Sequence, residues 1–284
     1  MDKHLLVTVS DDLRILHGVR FVGSFFRHKA DVKVTLFYVA PLGELSGGDK
    51  TLREINKKNV EIYRQKGQVA IEESKRLLTE RGFPPENITS KLMFKQFGKV
   101  KDIIREARAK SYDSVVLGGR GYDILANVLK ESVSREMLER DIDFPLWVCR
   151  RPEENRRNVL LCVDGSEPCY RIADHVGFIL QNEKEHHVTI FHLDTGKHDT
   201  EAMLAGTKDK LLQNGIEPER IGTRVLRSGG IVKNILKEAE KEAYAAVAVG
   251  RVGVKKSLLE GWRVGSTSMK LLENLEKAAL WVSK

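Results

Sequence analysis

At 284 residues the chain exceeds one ordinary domain, because single cores stop growing at roughly 250 to 300 residues and are commonly about 100 to 150. With 41% hydrophobic and 31% charged residues and a mean hydropathy of −0.32, it can bury a core beneath a solvated shell, which excludes wholesale disorder. The net charge of +8 is uneven, with 28 basic and 21 acidic residues up to Arg151 and 20 and 19 beyond it. Acids nevertheless interleave with the bases, as in KRLLTERG and KDIIREARAK, so charge alone selects no partner and nucleic acid is not expected.

The apolar runs are strand-sized and fall short of the roughly 18 to 20 residues of a spanning helix, and MDKHLLVTVSDD lacks a long apolar leader or cleavage site. The expectation is a soluble, unexported chain with no membrane partner. Cys149, Cys162 and Cys169 have no CxxC spacing, which argues against a disulfide framework or zinc knuckle and fits a reducing cytoplasm.

In chain order, the N-terminal part predicts strands at LLVTVS, VKVTLFYV, ITSKLMF, SVVLGG and PLWVCR. Between the second and third, Ile55, Ile62 and Val69 recur every seventh residue and Leu77 and Leu78 extend the row, which predicts a long helix with that row as its apolar face. After the charged RRPEENRRN, strands are expected at NVLLCVD, HVTIFHL, IGTRVLRS, AAVAVG and ALWVS, with helices near 168–182, 200–214, 229–243 and 266–277. The two parts repeat. SYDSVVLGGRG matches AYAAVAVGRVG, DFPLWVCR matches KAALWVSK, and HLLVTVSDD matches NVLLCVDGS. Alternating strands and helices imply parallel βαβ units, hence an α/β fold of two tandem five-stranded domains, residues 1–151 and 157–284. Ligands of such sheets bind beyond the carboxyl ends of the strands, where the winding reverses.

In the second copy the fourth strand ends at Gly250 and continues Arg251, Val252, Gly253, then the basic VKKSLLEGWRV, then Gly265, Ser266, Thr267 and Ser268 at the start of the last helix. Glycines there let backbone N–H groups approach a polyphosphate, and the helix start adds unpaired N–H groups at the positive end of its dipole. Lys255, Lys256 and Arg263 add positive charge, and Asp164 follows the first strand of the same copy. The competing reading is structural: turn glycines, a Ser/Thr helix cap, and an Asx turn at Asp164.

VAVGRVG with GSTS, VDGSE after the first strand and a final ALWVS together resemble the universal stress protein family, and two copies resemble its tandem form over essentially the whole chain. The resemblance implies Rossmann-like domains of the adenine nucleotide alpha-hydrolase type. Asp164 and Leu193 would flank the adenine or ribose, Val249 and Gly250 would lie along the nucleoside, and Gly253, Gly265, Ser266, Thr267 and Ser268 would hold phosphates. The implied ligand is ATP, with ADP and AMP as alternatives and magnesium as a companion of the phosphates. Family members with nucleotide space the glycines by two and then nine residues, whereas eleven residues precede Gly265, so this loop is two residues longer. The first copy has Glu131 and Ser132 where the second has Gly265 and Ser266, and Ser10 where it has Asp164, so a weak or vacant site is expected there.

Trp147 and Trp281 occupy matching last strands, through which the family pairs, so an internal pseudo-dimer is expected, with homodimerisation as a further option. The implied role is regulatory, with nucleotide altering a surface read by an unidentified protein partner. No Walker A, HExxH or GxSxG is present, and no catalytic residue is assigned; at most a slow ATPase is expected. The rival classes are a true ATPase or nucleotidylyl transferase, a nucleotide-free scaffold, and an RNA- or DNA-binding protein. His192, Asp194 and His198 are discounted as metal ligands. His186 and His187 are expected at the surface, and Cys169 at a helix start is a weak candidate for a lowered thiol pKa.

Overall fold

The computed structural model describes residues 2–41, 50–118, 133–196, 199–251, 255–256, 262–263 and 266–284. The N-terminal half runs β1 (Lys3–Thr8), α1 (His17–Phe25), β2 (Val32–Ala40), α2 (Lys50–Glu80), β3 (Ile88–Phe94), α3 (Lys99–Ala109), β4 (Ser114–Gly118), α4 (Val133–Glu139) and β5 (Leu146–Cys149). The C-terminal half runs β6 (Val159–Val163), α5 (Glu167–Leu180), β7 (Val188–Leu193), α6 (Thr200–Gln213), β8 (Ile221–Leu226), α7 (Ile231–Lys241) and β9 (Ala246–Gly250). It ends with a small ladder of β10 (Lys255–Lys256) and β11 (Trp262–Arg263), then α8 (Ser266–Asn274) and β12 (Ala279–Ser283). The α/β fold expected from the sequence is the one observed.

All strands except β10 and β11 form one ten-stranded sheet in the order β3-β2-β1-β4-β5-β12-β9-β6-β7-β8. Each half is parallel and repeats one strand order, and the halves join where β5 and β12 pair antiparallel, Trp147 opposite Trp281. Residues of α1, α2, α5 and α6 share one core with one face of the sheet, and residues of α3, α4, α7 and α8 share a second core on the other face. Burial on both faces explains the almost uninterrupted apolar runs in β1, β6 and β9. It also fixes the winding. The helix after β6 lies on one face and the helix after β9 on the other, so the β6/β9 boundary is the switch point of the C-terminal half.

Helix α2 forms where periodicity predicts it, but it buries a different row. Ile62 and Val69 are 47% and 58% exposed, whereas Ala70, Ile71, Ser74, Leu77 and Leu78 are buried; the side chain of Ile55 lies outside the described residues. Spacings of three and four residues track one face of a 3.6-residue helix, and the buried row follows them down to Leu77 and Leu78. The linker is equally specific. Its Arg156 is buried, with Nη1 donating to Ala239 O at 3.2 Å and Nη2 to Glu240 at 3.0 Å, and the N–H groups of Arg151 and Glu153 donate to the carbonyls of Glu276 and Lys277.

Candidate functional site

Parallel register sets the site. Cys162 pairs with Val249 and Val163 with His192, so the next residues, Asp164, Gly250 and Leu193, meet at the carboxyl edge of three adjacent strands. Val249 is 4% exposed and belongs to the core, whereas Leu193 is half-buried at the strand end and Asp164 is exposed.

Asp164 opens the turn into α5. Its Oδ1 accepts the Ser166 N–H at 3.0 Å, an Asx turn, and the Cys169 thiol donates to the same oxygen at 2.8 Å. Gly165 takes φ +78°, the left-handed conformation that relieves the turn of a Cβ. Gly250 lies directly beneath: a Cβ there would stand 2.6 Å from the Pro168 carbonyl carbon and 2.7 Å from the Cys169 N. The absent side chain at 250 thus lets the first turn of α5 rest on the end of β9.

Cys169 departs from expectation. Burial, reinforced by the hydrogen bond to Asp164, pushes its thiol up to about 11, because a thiolate would lose solvation and face a carboxylate. These effects outweigh the helix start, and the thiol stays protonated at neutral pH.

The phosphate side of the expected site is built by α8. As the crossover from β9 to its parallel neighbour β12, the helix begins at the carboxyl edge, and its first residues are Ser266, Thr267 and Ser268. Thr267 is half-buried and Ser268 buried, while Gly253 and Gly265 lie outside the described residues. Ahead of the helix, the β10/β11 ladder pairs Lys255 with Arg263 in backbone register. In the N-terminal half, Gly118 ends β4 as Gly250 ends β9, but Glu131 and Ser132 lie outside the described residues. A Cβ at Gly118 would meet Ile15 O at 3.1 Å, a looser contact than at Gly250.

The remaining candidates resolve plainly. His192 is buried and its Nδ1 lies 2.9 Å from Val163 O, which fixes the ring to the backbone. Among the described residues no group of three or more His, Cys, Asp and Glu is placed to hold a metal, and His198 lies outside them. His187 is exposed, but His186 is fully buried against the Phe25 ring of the other half, 4.6 Å between centroids. Burial lowers its pKa to about 4. It lies under the interface between halves, which the sequence of one half alone does not reveal.

Sequence reasoning also missed the residue after Gly250. Arg251 is buried and reaches across the interface, its guanidinium donating to Leu138 O and, at 2.6 Å, to Arg140 O at the carboxyl end of α4. Arg150 reciprocates, donating to Leu272 O at 2.7 Å and Glu273 O at 2.8 Å at the end of α8. A guanidinium on the last carbonyls of a helix satisfies acceptors that have no intrahelical partner. The only sequence signal was an arginine beside an apolar strand.

Residues 155–283 match the model of the Universal stress protein family. No curated protein sequence matches the chain. Among solved structures, a universal stress protein from Archaeoglobus fulgidus DSM 4304 is similar over 99% of this chain and 98% of its own, with 19% identity and a TM-score of 0.70. A functionally unknown protein from Pseudomonas aeruginosa PAO1 is similar over 100% of this chain and 92% of its own, with 14% identity and a TM-score of 0.52. No helix of the described residues is long and apolar enough to cross a membrane. Residues 155–283 thus match the Universal stress protein family model, within a fold that solved structures share along the whole chain.

Proposed function

We propose that the chain is a tandem universal stress protein, with domains at 1–151 and 157–284, that binds an adenine nucleotide mainly in its C-terminal half and acts as a cytoplasmic stress-response regulator. One observation carries this reading: the amino end of α8 opens at the carboxyl edge beside the β6/β9 switch point. The donors suit an anion. The first N–H groups of α8 have no intrahelical acceptor, and the ladder before it pairs Lys255 with Arg263 in backbone register. In this assignment Ser266, Thr267 and Ser268, with Gly253 and Gly265, hold the phosphates of ATP, and Asp164, Leu193, Val249 and Gly250 line the nucleoside. ADP and AMP are the competing ligands. Magnesium, where present, neutralises the phosphates.

Hydrolysis is expected to be slow, because Asp164, the carboxylate that follows the first strand of this half, is engaged with Ser166 and Cys169 in the turn. The N-terminal half, with Glu131 in place of the helix-start glycine, is assigned the weak or vacant site. A nucleotide-free scaffold is the second reading, favoured by Gly250, whose missing side chain the contact with Pro168 and Cys169 explains. Calorimetric titration with ATP, ADP and AMP, with and without magnesium, separates the two. Saturable binding near one site per chain supports the nucleotide reading, and absence of heat and of thermal stabilisation supports the scaffold.

A further inference from the structure

Between the halves lies a cavity of about 640 Å³, lined by Ala107, Arg108, Tyr112, Asp143, Phe144 and Pro145 of the N-terminal half and by α5 of the C-terminal half. Its walls have counterparts in the other half. The matching of SYDSVVLGGRG with AYAAVAVGRVG equates Ala107 with Ala239 and Arg108 with Glu240, and Ser111 and Ala243, which it also equates, are the two non-glycine residues of positive φ among the described residues. The matching of the last strands equates Asp143 with Lys277, and that of the first equates Arg171 with His17.

The counterpart groove is filled by the linker. Arg151 and Glu153 donate their N–H groups to Glu276 O and Lys277 O, Arg156 seats on Ala239 O and Glu240, Glu153 lies 3.6 Å from Lys277, and the charge of Arg151 acts on His17. In the N-terminal half the equivalent groove stands open among the described residues. Its wall carries one reversed ion pair and one added positive charge. Where Glu240 pairs with Lys277 at 2.6 Å, Arg108 pairs with Asp143 at 3.0 Å, and where His17 faces Arg151 the open groove has Arg171. His175 adds an oriented polar group: its Nε2 accepts from Trp147, so the neutral ring carries its proton on Nδ1.

We propose that this open groove is a docking site for an extended peptide segment of a partner protein, whose charge order is the inverse of the 151–157 linker: acidic where Arg151 and Arg156 stand, basic where Glu153 stands. The linker supplies the backbone template, and the reversed pair and the added charge supply the selectivity. None of the nucleotide-site residues lines the cavity, so the proposal does not depend on that reading.

The test titrates the full chain into two fluorescein-labelled nonapeptides, one with the sequence of residues 150–158 and one with each Arg replaced by Glu and each Glu by Lys. Fluorescence anisotropy is expected to show saturable binding of the inverted peptide, about tenfold tighter than the linker copy if three partly exposed pairs contribute about 0.5 kcal/mol each. Arg171 is exposed, so Arg171→Glu keeps the fold, and it should weaken the inverted peptide while strengthening the linker copy. Equal binding of the two peptides, no binding of either, or a preference untouched by Arg171→Glu overturns the proposal. A concentration-dependent dimer in sedimentation that excludes the inverted peptide also overturns it, because a second copy then fills the groove.

Discussion

Trp147 and Trp281 stack face to face, ring centroids 4.1 Å apart and planes 6° apart, at directly opposed positions of the two strands that join the halves. Both indoles are fully buried, and Phe21 and Phe25 pack edge-on against them. Trp281→Ala should cost about 3–5 kcal/mol through lost burial and a residual cavity. Urea denaturation followed by circular dichroism measures this; an unchanged midpoint would show that the seam adds nothing to stability.

The pair is not symmetric. Trp147 Nε1 donates to His175 Nε2 at 3.0 Å, whereas Trp281 Nε1 is buried without an acceptor among the described residues. The repeat equates His175 with Phe21, which has no acceptor to offer. Burial holds the His175 pKa down at about 3, so the folded ring stays neutral where an unfolded one protonates near 6.5. Between those values the unfolded state binds more protons, so stability is full above about pH 6.5 and falls as pH drops toward 3. At pH 5 the loss from this ring is about 2 kcal/mol. His175→Phe should flatten the difference between denaturation at pH 7 and pH 5 by that amount, leaving a contribution of similar size from His186, whose pKa burial lowers to about 4.

Gly250 and Gly118 end equivalent strands but meet different neighbours. Gly250→Ala would force a methyl to within 2.6 Å of the Pro168 backbone, which should cost about 1–3 kcal/mol as overpacking. Gly118→Ala, 3.1 Å from Ile15 O, should cost clearly less. Thermal melts of the two variants give the order, and the reverse order would contradict the packing described.

Arg251→Ala removes two charge-assisted hydrogen bonds to Leu138 O and Arg140 O and leaves those carbonyls facing a void. A loss of about 2–4 kcal/mol is expected, with earlier loss of protection in α4 than in β1 by hydrogen exchange. Uniform loosening of both elements would contradict a local role.

The fold was legible because its signals are redundant. Strands buried on both faces had to be apolar throughout, and three matching peptides marked the two halves before any element was assigned. What stayed hidden depends on contacts distant in sequence. The buried face of α2 is chosen by what packs against Ala70, Ile71 and Leu78, not by the seven-residue row of Ile62 and Val69. Cys169 looked activated by its place at a helix start, but the carboxylate of Asp164 and burial govern it. His186 and Arg251 acquire their surroundings only when the halves meet. At the candidate site, the register brings Asp164, Leu193 and Gly250 together as their strand-end positions implied, and Ser266 to Ser268 open α8.

The central claim is that the C-terminal half holds an adenine nucleotide at the start of α8. Mass spectrometry of nucleotide released from freshly purified protein, compared with a Gly265→Glu variant that imitates the N-terminal half, tests it most directly. The account expects close to one ATP, ADP or AMP per wild-type chain and almost none from the variant. Equal occupancy of the two proteins, or no nucleotide in either even after incubation with ATP, would contradict it.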